Sequence, residues 1–158
     1  MGCPRKGYRM NKQILTKGTK YFLDFMFYCG ILVTVTLPLS VKWIGTFREE
    51  IAQNYAGLVV IYFVLGIAAL VIVRELRRIF ATVLAEDCFV EANVQSLHKM
   101  AKWSLFIVGM SVVRSIVYLT IAMLVVILVF IIAGAFSEVL AHVFAQAVRY
   151  KEENDLTI

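Results

Sequence analysis

A stretch of 34 residues, Trp103 to Phe136, contains a single charged side chain, Arg114. A bilayer core is crossed by about 20 apolar residues in a helix, so this stretch is nearly long enough to cross twice. How it is divided decides the topology. One continuous helix leaves three spans and puts the termini on opposite sides; a tight hairpin gives four spans and returns the C-terminus to the side of the N-terminus.

The rest of the chain supports a membrane setting. Hydrophobic residues make up 61% of it and charged residues 17%, against about 25% charged in soluble domains. Its 158 residues suffice for a single small membrane domain and leave no room for a second. The net charge of +5 is carried beside apolar runs, which makes it topological information; no nucleic-acid-binding module is recognisable, so direct nucleic-acid binding is not expected. Cys3, Cys29 and Cys88 are scattered, without metal-site or disulfide spacing.

Four spans follow, at about 21–41, 55–73, 102–118 and 120–140, joined at 74–101 by a connection and followed by a tail over 141–158. The first apolar run ends at Leu37-Pro38-Leu39 without a small-x-small cleavage pattern and reads as a retained span. Beyond Val73, Leu76, Ile79, Phe80 and Val83 recur at spacings of three and four, opposite Arg74, Glu75, Arg77 and Arg78. That predicts a helix continuing out of the membrane along neighbouring protein or headgroups. Residues 1–20 hold six basic residues and no acid, and the 74–102 segment holds five basic residues against four acids. The 42–54 loop has only Lys42 and Arg48, offset by Glu49 and Glu50. The excess of positive charge predicts a cytoplasmic N-terminus and a cytoplasmic 74–101 connection.

Arg114 favours the hairpin. A central arginine costs roughly 2.5–3.5 kcal/mol on insertion scales, whereas a turn near Ser115 to Thr120 puts it at the membrane edge. No Gly, Pro, Asn or Asp marks that turn, so a single tilted helix is the alternative.

Ionisable residues inside spans are functional candidates. Asp24 lies one turn into the first span; Glu138 and His142 lie four apart, on one face of the last helix. At a shared depth the three would form an ion or proton cluster for a small transporter or channel component. The plainer reading is a hydrogen-bonded contact at the interface. Glu138-x-x-x-His142 lacks the two histidines of a metalloprotease motif, and no nucleophile triad, phosphate loop or metal-ligand spacing is visible. We therefore expect no enzyme activity, no metal and no cofactor. Gly30, Gly57, Gly66, Gly109 and Gly134 mark helix-packing faces, since small residues let backbones approach.

The ending VFAQAVRYKEENDLTI and the central FVEANVQSLHKMAKW, with Phe89, Asn93 and Leu97 at intervals of four, resemble the family of small bacterial membrane proteins called domain of unknown function 2975. That resemblance implies four spans in the bacterial inner membrane, both termini cytoplasmic, and no established biochemical activity. It also implies a regulatory pairing, because relatives are often encoded beside a helix-turn-helix regulator. The expected architecture is an all-α integral membrane four-helix bundle with cytoplasmic helical extensions. The expected role is a non-enzymatic membrane regulator or sensor engaging a cytoplasmic regulator protein. Phe89, Asn93 and Leu97 would receive the tail residues Asn154, Asp155 and Leu156, with Asn93 clamping the tail backbone.

Overall fold

The computed structural model describes residues 5–45, 55–85, 89–117 and 120–155, and these fold into four α-helices. They are α1 (Arg5–Gly45), α2 (Tyr55–Leu84), α3 (Glu91–Val117) and α4 (Ile121–Asp155). Much of the 42–54 loop, Glu86-Asp87, Cys3, Cys88, Tyr118 and Leu156 to Ile158 lie outside the described residues.

The long apolar run is broken. Helix α3 stops at Val117, α4 starts at Ile121, and the two pack side by side. Thr120 makes the restart: its carbonyl accepts from Met123 N at 2.9 Å and Leu124 N at 3.3 Å. A threonine ahead of an apolar run belongs to the residue types that begin helices. Here it supplies the start that Gly, Pro, Asn or Asp would otherwise mark.

The extension of α2 past Val73 is present, since the helix runs unbroken to Leu84. Its 30 residues are about 45 Å long, more than the roughly 30 Å of a hydrocarbon core. Helix α1 is longer than its apolar run, because the basic segment from Arg5 onward is part of the same helix. Three helices (α1, α2 and α4) hold segments long and apolar enough to cross a membrane.

Each helix packs antiparallel to the next, and among the described residues α1 touches only α2 and α4 touches only α3. The four helices form a row, α1-α2-α3-α4, and do not close around a shared four-way core. Helix α3, in the interior, turns small and polar groups to its neighbours: Asn93, Ser96, Ala101, Ser104 and Ser111 are all buried. The apolar core lies at the end of the row that carries the basic segment. There Ile79 of α2, Val94, Leu97 and Met100 of α3, and Ala141 and Val148 of α4 meet, flanked by Leu76, Val83 and Phe144.

Glycines bring α1 and α2 close. A Cβ on Gly66 would lie 2.9 Å from Thr34 Oγ1, and one on Gly30 would lie 2.9 Å from Leu70 Cδ2. The Thr34 hydroxyl is held by donation to the Gly30 carbonyl at 2.8 Å, so it cannot yield freely. We predict that Gly66→Val lowers stability by about 1–3 kcal/mol through overpacking. Gly109→Ala, where a Cβ meets open space, should be neutral or stabilise by about 0.5–1 kcal/mol through helix propensity. Thermal unfolding in detergent, followed by circular dichroism, checks both.

Candidate functional site

Where the helices pass from their apolar stretches to their polar ones, each adjacent pair is joined by a polar contact. Between α1 and α2, Asp24 pairs with Arg77, and both side chains are 28% exposed. The Arg77 guanidinium also lies over Phe27, 4.6 Å from the ring centroid. Such a cation–π contact adds about 0.5–2 kcal/mol depending on desolvation.

Between α2 and α3 the contacts are buried. Glu75 is only 6% exposed and accepts a hydrogen bond from Ser96 Oγ at 2.8 Å, with Arg78 Nη1 at 3.6 Å. A buried carboxylate is strongly unfavourable without such partners. Two turns along, the Asn93 amide donates to Thr82 Oγ1 at 2.7 Å. The Thr82 hydroxyl has Ile79 O at 2.7 Å and Asn93 Oδ1 at 2.9 Å as acceptors.

Between α3 and α4, His98 Nδ1 lies 3.0 Å from Glu138 Oε2, and His142 Nε2 lies 3.7 Å from Glu138 Oε1. The two imidazoles stand edge to face, 5.9 Å apart. One carboxylate is thus flanked by two imidazoles. His142 is the most open member, with its side chain 72% exposed. Among the described residues no three His, Cys, Asp or Glu side chains are arranged to hold a metal ion.

The structure therefore brings together part of the expected ion cluster. Glu138 and His142 meet, as four-residue spacing on one helix requires. Asp24 is not with them: it sits on α1, with α2 and α3 between, engaged by Arg77. The third member is His98, which sequence spacing leaves in the connection between spans. It reaches Glu138 through the antiparallel α3–α4 register, which local periodicity does not encode.

The expected docking residues also separate. Phe89 is half-exposed, with its ring 5.5 Å from that of Phe144. Leu97 is buried in the core. Asn93 is 1% exposed and bonded to Thr82, so it clasps α2 to α3 and is not available as a tail clamp. Asn154 is exposed on the last turn of α4, which runs helical to Asp155. Leu156 lies outside the described residues. What packs on the Phe89–Leu97 segment is α4 over Ala141 to Val148, the first part of the 141–158 tail.

An all-α fold with membrane-length apolar helices, joined in series by polar contacts at one end, defines a small helical membrane protein. Residues 41–158 match the family described as "Protein of unknown function (DUF2975)", and the chain belongs to that family. No curated protein and no solved structure matches it.

Asn93→Ala should cost about 1–3 kcal/mol, because the Thr82 hydroxyl loses a buried partner. In a double-mutant cycle Asn93→Ala and Thr82→Ala should couple by more than about 0.5 kcal/mol. Additive unfolding free energies would show that the clasp carries no energy.

Proposed function

We propose that this protein is a non-enzymatic regulator or sensor of the bacterial inner membrane, with both termini cytoplasmic, that holds a cytoplasmic partner at the end of α4. The observation that carries this reading is the helical platform beyond the apolar stretches. Helices α2, α3 and α4 share a packed core there, from Ile79 to Val148. From that core α4 projects seven further residues, to Asp155. Arg149, Tyr150 and Glu153 lie along one face of this projection and, with Gln146 one turn before it, line a surface depression. Arg149 and Glu153 pair at 3.3 Å, which preorganises that face, and Tyr150 is 71% exposed. An exposed aromatic between charged groups on a rigid helix is a common composition for a recognition site. The partner implied by the family resemblance is a regulator of the helix-turn-helix kind.

Removing residues 151–158 is expected to leave the fold intact, since the last core residue is Val148, while abolishing recovery of the partner in a pull-down from native membranes. Unchanged recovery from a well-folded truncation would refute the tail's role. Tyr150→Ala should weaken recovery about tenfold or more, the effect of losing roughly 1.4 kcal/mol or more of binding energy.

A second reading, a transporter or channel component, draws on the His98–Glu138–His142 cluster alone. Its measure is proton or cation flux into liposomes. Glu138→Gln should reduce that flux at least tenfold if the cluster conducts, and absence of wild-type flux under any gradient removes the reading.

A further inference from the structure

Helices α2 and α3 change from apolar to charged at one height. On α2 the charge-free run 55–73 ends at Arg74; on α3 Lys99 and Lys102 precede the run that begins at Trp103. The clasps Glu75–Ser96 and Thr82–Asn93 fix the antiparallel register of the two helices. That register sets Arg74 level with Lys99 and Arg78 level with Gln95. Within each helix the two residues are four apart, so they form a strip along one face. Both strips lie on the side away from α4, because Leu76, Val83 and Leu97, on the other side, pack with α4. Arg74, Gln95 and Lys99 are exposed, and the Arg78 side chain is 60% exposed.

Charge on this face is unbalanced. The acids near this height are engaged elsewhere: Asp24 by Arg77, and Glu138, on the α4 side, by His98 and His142. Glu75 is buried against Ser96 and has only Arg78, at 3.6 Å, as an ion partner. Glu91 is exposed but lies eight residues before Lys99, about 12 Å along α3. Among the described residues Arg74, Lys99 and Lys102 make no ion pair. Lys17 and Lys20, exposed on α1, add charge of the same sign. Arg74 and Lys99 therefore repel across the α2–α3 junction, and an anion held between them would remove that repulsion.

The surroundings say where such an anion comes from. Trp103, one turn past Lys99, stands edge to face with Phe106 at 5.5 Å, and tryptophan is enriched at headgroup level. Deeper along the same two strips the exposed residues are apolar. Ile67 lies seven residues from Arg74 and Phe106 seven from Lys99, and the register sets these two level with each other. One more repeat along stand Val60 and Val113, again level and exposed. A charged head above a paired apolar track fits a lipid better than a free ion. A zwitterionic headgroup would bring its ammonium among cations, with no exposed carboxylate at this height on this face, among the described residues, to receive it.

We infer that Arg74, Arg78, Gln95 and Lys99 bind the phosphate of an anionic phospholipid whose chains run along Ile67 and Phe106. An arginine fork matches two phosphate oxygens at once, Lys99 supplies a point charge, and the Gln95 amide supplies a neutral donor. The lipid bridges the two hairpins at their junction. This goes beyond the proposed regulatory role and does not depend on it.

The test reads Trp103 as a reporter. The chain has two tryptophans, so Trp43→Phe leaves Trp103 alone. The full-length protein is placed in vesicles of equal parts phosphatidylglycerol and phosphatidylcholine, with brominated chains on one lipid or the other. Quenching should be stronger when phosphatidylglycerol carries the bromine. Arg74→Gln with Lys99→Gln should lower that preference about fivefold or more, with helical content retained. Lys17→Gln with Lys20→Gln removes as much charge from α1 and should leave the preference unchanged, and millimolar inorganic phosphate should not relieve the quenching. Equal quenching by the two lipids, or a preference that survives Arg74→Gln with Lys99→Gln, would overturn the site. A preference that both double variants lower alike would overturn it as well, by showing a diffuse attraction to basic charge. Relief by phosphate would overturn the lipid as occupant in favour of a free anion.

Discussion

Two buried clasps between α2 and α3, Glu75 with Ser96 and Asn93 with Thr82, hold the structure together. The chain consists of two hairpins, α1 with α2 and α3 with α4, and α2 against α3 is the one junction between them among the described residues. In lipid, hydrocarbon tails are as apolar as leucine, so burial of apolar surface does little to choose a partner helix. Polar groups choose, because each left unmatched in an apolar setting costs about 1–3 kcal/mol. Sliding α3 by one turn would strand a buried carboxylate and a buried amide together. The register of the whole row follows from that constraint, and His98 meets Glu138 because α3 is held at this height.

The packing at either side obeys the same logic with smaller groups. Gly30 and Gly66 admit Leu70 and Thr34 to the α1 and α2 backbones, and Gly134 admits Ser104, whose Cβ would stand 3.3 Å from an added methyl. Close approach maximises dispersion where no hydrophobic force operates between helices. Two threonines of α1 return their hydroxyls to their own helix, Thr34 to Gly30 O and Thr36 to Leu32 O, each at 2.8 Å. Polar atoms on lipid-facing helices are thereby satisfied without a partner helix.

Much of this was legible in the residues and some was not, for identifiable reasons. The continuation of α2 past Val73 was written in the spacing of Leu76, Ile79, Phe80 and Val83. Arg114 pointed to a break in the long run, because an arginine is least costly near a membrane edge. The device at the break, Thr120 as a helix start, was harder to see: one threonine among apolar residues resembles many others. Glu138 and His142 were joined by their spacing, while His98 entered through tertiary register, forty residues away in sequence. Asn93 was recognised as a residue with work to do, but its partner, Thr82, lies eleven residues upstream on α2. A side chain with both donors and acceptors announces that it will be satisfied without saying by whom.

The unequal strength of the three junctions bears on how the protein can move. Between α2, α3 and α4 the contacts include a shared apolar core, two buried clasps and the His98–Glu138 contact, so these three helices behave as one body. Helix α1 contributes no residue to that core. It is held by glycine contacts and by the Asp24–Arg77 pair, whose side chains are partly exposed, and an ion pair open to solvent contributes about 1 kcal/mol or less. Of the four helices α1 is therefore the one that can shift at least cost, and its basic end extends past the last residue of α2. On the α2 side, Arg77 holds Asp24 from the turn that also supplies Glu75 to the α3 clasp.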